Sequence, residues 1–197
     1  MKAFKIQITT QNLRRFMGIK RFAKPIEILN SPEIIAHVLE DDGKFPNSRL
    51  PLLIYRNAMH LPRHDPAAAI EELLEENDWC NSWRDGIYTY HHYHSNSHEV
   101  LVVFCGSAEV QFGGPDGIKQ EIAVGDVVII PAGVAHKNLG SNDNFGIVGA
   151  YPEGRNWDVC RGRKGERPKA DERIARVPMP KADPIYGPAG PIFERWK

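Results

Sequence analysis

Between residues 82 and 152 the chain is a succession of short apolar runs cut by glycine: GIYTYHHYH, EVLVVFC, AEVQFGG, KQEIAV, DVVIIPA and FGIVGAY. The breaks fall at Asp85-Gly86, Gly106, Gly113-Gly114, Asp116-Gly117, Gly125, Gly133 and Gly140. Many short strands at this spacing predict an all-β sandwich or barrel rather than alternating strand–helix units. No period of roughly 20–50 residues recurs, which argues against a solenoid.

The flanks read differently. LPLLIYR, residues 50–56, predicts a further strand. DPAAAIEELLEENDW predicts a helix, with Asp65 as its N-cap and Pro66 at the first helical position. Ile70, Leu73 and Leu74 form its apolar stripe, and Glu71, Glu72, Glu75 and Glu76 turn to water. Before it, Ser31-Pro32-Glu33 predicts the cap of a short helix ahead of a turn at Asp41-Asp42-Gly43. The end of the chain is rich in proline and charge; it predicts an extended arm laid on the barrel or on a partner subunit, anchored by Ile192, Phe193 and Trp196. The expected organisation is a leader over residues 1–45, the β domain with its preceding strand and helix over 46–160, and the arm over 161–197.

Charge and cysteine content narrow the function classes. Lysine plus arginine and aspartate plus glutamate both number 25, so there is no long-range pull toward nucleic acid or an anionic membrane. The apolar runs are far too short to span a bilayer as helices. Three widely spaced cysteines (Cys80, Cys105 and Cys160) predict no disulfide framework and fit a reducing, cytoplasmic setting. The leader is basic up to Glu27 and lacks the apolar stretch of a secretory signal. It reads as an organellar transit peptide or as a basic extension of a cytosolic protein, and the second is the expectation.

Half of the eight histidines fall in HHYHSNSHE, residues 91–99. On a strand, side chains alternate, so Tyr88, Tyr90, His92 and His94 share one side while His91 and Tyr93 face the other. Ser95 to His98 turn the chain, and Glu99 opens the next strand. Two imidazoles and a carboxylate can then converge on one ion, whose contacts are about 2.0–2.2 Å long. A polar loop that happens to be rich in histidine would have the same composition. A second segment, GDVVIIPAGVAHKN, carries a buried strand over Val127 to Ile130, ended by Pro131. Gly133 lets the chain turn before His136, a histidine that nothing local requires.

These residues resemble the cupin family. Gly86, His92, His94, Glu99 and Gly106 match its first motif, G-x5-H-x-H-x4-E-x6-G; Gly125, Pro131, Gly133 and His136 match its second, G-x5-P-x-G-x2-H. The asparagine usual four residues after the last histidine is absent: position 140 is glycine, and Asn138 comes two residues early, which puts the closing turn in doubt. PNSRLPLLIYR, the helix, WRDGIYTYHHYHSNSHEVL, GAYPEG and the proline-rich end also resemble the YjlB-like branch of single-domain cupins. The resemblance implies a small jelly roll, a double-stranded β-helix with one flanking helix and extended terminal arms. It also implies that His92, His94, Glu99 and His136 ligate a metal.

Such a ligand set leaves about two open positions on an octahedral ion and suits Fe2+, Mn2+, Ni2+ or Zn2+. Among the neighbours, Tyr88, Tyr90 and His98 are catalytic candidates, with His98 either replacing Glu99 or standing behind the ligands or at the mouth. His91 is expected on the outside. Arg56, Arg84 and Lys137 are candidate cations for an anionic substrate. Cys105 falls on the inward parity of its strand, as a small buried hydrophobe or a pocket residue. The expected function is a metal-dependent enzyme acting on a small polar molecule, with dioxygenase chemistry ahead of isomerisation or epimerisation; the alternative is a non-catalytic metal-dependent sensor. The partners expected are that small molecule and a second copy in a homodimer, with no nucleic acid and no membrane.

Overall fold

A computed structural model describes residues 26–197. The targeting question posed by the basic leader lies outside the described residues. In chain order the elements are β1 (Glu27–Ile28), β2 (Glu33–Leu39), β3 (Ser48–Arg56), β4 (Met59–His60), α1 (Pro66–Glu76), β5 (Trp79–Asp85), β6 (Glu99–Cys105) and β7 (Ser107–Phe112). They continue with β8 (Ile118–Ala123), β9 (Val127–Ile130), β10 (His136–Ser141), β11 (Gly146–Pro152), α2 (Lys169–Ile174) and α3 (Ile192–Arg195). All the strand pairs are antiparallel. Six strands form one sheet in the order β2-β3-β9-β6-β11-β5, and three form a second in the order β10-β7-β8. The strand-and-glycine texture predicts this all-β arrangement, and the resemblance implies its jelly-roll form.

The central strands read as continuous apolar runs because both of their faces are covered. Leu53, Tyr55, Val100, Val102, Val127, Ile129, Val148 and Ala150 point to one side, beneath α1 and the C-terminal segment. Leu52, Ile54, Leu101, Val103, Val128, Ile130 and Ile147 point to the other, against Val110, Phe112 and Ile122 of the smaller sheet. The period of two assigns each residue of a run to one layer or the other. α1 starts where its sequence says: the Asp65 carboxylate accepts the Ala68 N–H at 3.1 Å, Pro66 follows, and Ala67, Ile70 and Leu74 are buried.

Two expectations about the strands fail. Ser31-Pro32-Glu33 opens no helix; EIIAHVL is β2, paired with β3 so that Ile34 lies opposite Tyr55 and Ile35 opposite Ile54. Its β-branched Ile34 and Ile35 pack on opposite sides of the sheet, and that packing overrides the capping signal. GIYTYHHYH forms no continuous strand either. The strand at that sheet edge is β5, which ends at Asp85, and the run beyond makes only isolated bridges, His92 with His136 and Tyr93 with Cys160. β10 runs on to Ser141, with Gly140 in a register shift where its N–H donates to Asn138 Oδ1 at 2.8 Å. The early asparagine thus takes over the backbone group at Gly140.

The C-terminal segment is not uniformly extended. It carries α2 and α3, and it buries Ile185, Ile192 and Trp196 in the layer under the large sheet. Asp183, wholly buried, accepts N–H groups from Ile185, Tyr186 and Ile192 and the Tyr55 hydroxyl at 2.7 Å. Asp183→Ala would strand three N–H donors and a phenol in the core; a loss of about 3 kcal/mol or more is expected in urea unfolding, with early proteolysis after residue 176.

His98 belongs to this same layer. Its ring lies 4.7 Å from that of Trp196, and its Nδ1 accepts the Ala132 N–H at 3.0 Å. Protonation would destroy that acceptor, and burial pushes the His98 pKa down to about 4. A folded pKa below the unfolded value of 6.5 means full stability above pH 6.5 and progressive loss as pH falls toward 4. Replacing His98 with glutamine should therefore shrink the fall in unfolding free energy between pH 7 and pH 5 by about 2 kcal/mol, read from urea titrations at the two pH values.

Candidate metal centre

The inner face of the large sheet carries a buried carboxylate into the space between the layers. Glu99 heads β6 with the parity of Leu101 and Val103, and it is 2 % exposed. Opposite it, His136 opens β10, on the strand that follows the Pro131–Gly133 turn. His92 is fixed by reciprocal backbone hydrogen bonds with His136, N–H to carbonyl at 3.2 and 2.9 Å. His94 is fixed from behind, where its carbonyl accepts the Gly133 N–H at 2.8 Å. Although residues 86–94 form no regular strand, the predicted alternation survives in side-chain direction. Tyr88, Tyr90, His92 and His94 lie in ring contact along one side. His91 and Tyr93 lie against Phe45 on the other.

His92, His94 and His136 are all buried, and one ring nitrogen from each lies within 4.8 Å of the others. Each turns its Nδ1 to a backbone carbonyl: His92 to Tyr90 and His136 to Val134, both at 3.3 Å, and His94 to Asp158. Those carbonyls fix the tautomer and leave Nε2 free to act as a ligand. Glu99 Oε2 lies 3.2 Å from His94 Nε2 and 3.3 Å from His136 Nε2, and has no hydrogen-bond partner of its own. Two donors at right angles, each about 2.1 Å from one ion, lie about 3 Å apart. The spacing is that of adjacent corners of a coordination polyhedron. Residues of this kind, so placed, could hold a metal ion.

The electrostatics differ from one histidine to the next. Burial, reinforced by His136 and His94, pushes the His92 pKa down to about 2 and keeps it neutral. Burial also opposes charge on His94 and on Glu99, but their mutual attraction prevails: it raises the His94 pKa and, with His136, holds Glu99 well below the usual carboxylate range. The other oxygen of Glu99, Oε1, accepts the Tyr151 hydroxyl at 2.7 Å, and Tyr151 in turn accepts the Trp83 indole N–H at 2.9 Å. Gly149 makes room for this chain of bonds. A Cβ there would lie 2.3 Å from the Trp83 ring.

A cavity of about 230 Å³ opens onto the group, walled by Trp83, Ile87, Tyr88, Leu101, Tyr151 and Trp157. Tyr88 lines the cavity, whereas Tyr90 lies behind it, stacked on Tyr88 at 4.9 Å with the Arg161 guanidinium 3.7 Å from its ring. Arg84 reaches the rim but is paired with Glu71 at 2.7 Å and with Asp65.

Several predicted site residues stand elsewhere. His98, one position from Glu99, points by strand parity to the opposite layer and is neither ligand nor mouth residue. Arg56 is bound to Asp126 at 2.7 Å and to Gln120, where it ties β3 to the loop before β9. Cys105 is half-exposed at the end of β6, its thiol donating to the Asn144 carbonyl. Lys137 points away from the cavity, next to His136 on β10. His91 is half-buried against Phe45 rather than outside.

Tyr151, Trp83, Trp157 and Asp158 escaped the sequence reading. Tyr151 and Trp83 sit on β11 and β5, far along the chain from the histidines. Trp157 and Asp158 sit on a strap over residues 155–160. There Trp157 stacks on Tyr151 at 4.4 Å, and the Asp158 carboxylate accepts the Ser95 N–H and hydroxyl. Inward parity on β11, counted from Ile147, was the one available signal for Tyr151.

The profile of the Cupin family matches residues 85–154. The uncharacterized protein YjlB of Bacillus subtilis (strain 168) is 41 % identical over 165 residues, which cover 83 % of this chain and 97 % of that protein. Among solved structures, an uncharacterized conserved protein with a double-stranded β-helix domain from Klebsiella pneumoniae is 10 % identical, with a TM-score of 0.34 over 81 % of this chain and 98 % of its own. Procruciferin, an 11S globulin of Brassica napus, is 17 % identical with a TM-score of 0.34 over 57 % of this chain, which spans 23 % of the globulin. Two motifs at their full spacing, a jelly roll that brings their histidines together, and a relative matched over nearly its whole length lead to one assignment: the chain belongs to the cupin family, alongside YjlB.

Proposed function

We propose that His92, His94, Glu99 and His136 hold one divalent metal ion, and that the protein is an enzyme acting on a small molecule bound in the adjoining cavity. The observation that carries this reading is the set of three imidazoles with Nδ1 on carbonyls and Nε2 turned inward around the otherwise unpartnered Glu99 Oε2. The bound ion would supply Lewis acidity or redox chemistry at about two open positions. The chain's own part is to orient those ligands, to keep water out with an aromatic wall, and to hold Glu99 as a carboxylate through Tyr151.

Dioxygenase-type chemistry is preferred over isomerisation. Moving protons across a substrate calls for a free acid and base facing it. Around the cavity, Tyr151 is committed to Glu99 and Trp83, and the Tyr88 hydroxyl and Asp85 belong to exposed residues at the rim, so among the described lining residues no buried acid–base pair stands beside the histidines.

Protein purified without chelator is expected to carry metal stoichiometrically by elemental analysis. His92→Ala or His136→Ala should abolish that binding, and stoichiometric metal in both variants would overturn the site. Oxygen uptake and isomerase panels on protein reconstituted with Fe2+, Mn2+, Ni2+ and Zn2+ then separate the enzyme from the sensor; full metal without turnover favours the sensor. Tyr151→Phe should weaken metal binding by roughly tenfold in a chelator competition, with folding intact, because Glu99 loses the group that orients it. A homodimer belongs to the same proposal, supported by the outer edge of β2, which no described strand pairs, with Val38 61 % exposed. Light scattering that returns a monomer overturns that part.

A further inference from the structure

Few of the exposed large hydrophobic side chains lie at a cavity, and two that do are rings: Tyr88, 49 % exposed, and Trp157, 37 % exposed. Both are rigidly backed. Tyr88 stacks on Tyr90 at 4.9 Å and 11°, with the Arg161 guanidinium 3.7 Å from the far ring. Trp157 stacks on Tyr151 at 4.4 Å and 11°. Each ring thus has one side fixed by a parallel neighbour and an exposed remainder at the cavity. Exposed aromatic surface kept rigid in this way is a platform for a ligand ring.

The rest of the wall defines what else the ligand can carry. Ile87 and Leu101 offer no hydrogen bonds, and the indole N–H of Trp83 and the hydroxyl of Tyr151 are already spent on each other and on Glu99. A polyol would leave several hydroxyls unpaired against this wall, each at a cost. The cation among the lining residues, Arg84, is engaged by Glu71 and Asp65, so a phosphate or polycarboxylate finds no free counter-charge. At about 230 Å³ the space suits a single ring rather than a drug-sized molecule, for which roughly 300–1,000 Å³ is usual.

We propose that the cavity takes a planar, single-ring aromatic compound bearing two adjacent oxygen donors, with its ring between Tyr88 and Trp157 and its oxygens toward the three histidines. The orientation of the oxygens rests on the metal reading above; the ring clamp does not. Trp157 lies beyond the segment matched by the Cupin profile, so the strap at residues 155–160 supplies this selectivity to an otherwise common scaffold.

Salicylate and glycolate present the same pair of oxygens, with and without a ring. Calorimetric titration of the metal-loaded protein should find salicylate bound at least about tenfold more tightly than glycolate. Trp157→Ala should remove most of that preference while glycolate affinity and metal content stay unchanged, and Trp157→Phe should restore it; Tyr88→Ala should also remove the preference, with Tyr88→Phe restoring it. Equal affinities, a preference that survives both alanine variants, tighter binding of glucose, or no binding of salicylate at millimolar concentration would each overturn the clamp. A ring preference in protein that takes up no metal would defeat the metal site and leave the clamp standing.

Discussion

Strand β6 is covered on both faces: Val100 and Val102 lie under α1 and the C-terminal segment, while Glu99, Leu101 and Val103 face the smaller sheet. A strand in this position has no low-cost place for a charge, because burying an ion without partners costs several kcal/mol. Glu99 is nevertheless there, and each of its oxygens meets a separate solution. Oε1 is held by the Tyr151 phenol, and Oε2 faces two imidazoles whose other nitrogens are already occupied. The buried carboxylate is therefore the centre from which the site is organised. His94 and His136 lie where its charge requires compensation, and Tyr151 and Trp83 lie where its geometry does.

The same coverage explains how neighbouring residues come to serve unrelated ends. His98 and Glu99 are adjacent in sequence, yet a period of two sends one toward Trp196 and the other toward the histidines. His98 is kept neutral by burial and by the Ala132 N–H, so its contribution is to the attachment of the C-terminal segment. A histidine-rich stretch is in this sense two features: an inward row that includes His92 and His94, and an opposite row packed on Phe45 and, one strand later, on Trp196.

What the sequence disclosed follows the range of its interactions. Alternation, glycine spacing, capping and the two motifs are local; they placed β3, β6 to β9, β11 and α1, and named the three histidines together with Glu99. The reading went wrong where a tertiary partner overrode a local signal, as when β3 drew EIIAHVL into the sheet despite Ser31-Pro32-Glu33. It also failed where a strand was too polar to show, as with Trp79–Asp85. Tyr151, Trp157 and Asp158 were invisible for a different reason. Their roles depend on which distant segment they meet, and nothing in GAYPEG or NWDVC marks a phenol for Glu99 or a carbonyl for His94.

The strap at residues 155–160 shows how much of the site is built after the last strand. The Asp158 carbonyl orients His94, its carboxylate caps the turn at Ser95, and Arg173 of α2 braces that corner through Ser95 Oγ at 2.6 Å and Asp158 at 3.4 Å. Cys160 then pairs with Tyr93 through the backbone, 2.9 Å each way. One segment thus holds a histidine from behind and sets an indole at the cavity in front of it. The strap is anchored by those two bonds, by the Asp158 N–H on Asn96 Oδ1 at 3.0 Å and by the Asp158 carboxylate on Ser95, so the group behind His94 and the Trp157 platform share their supports.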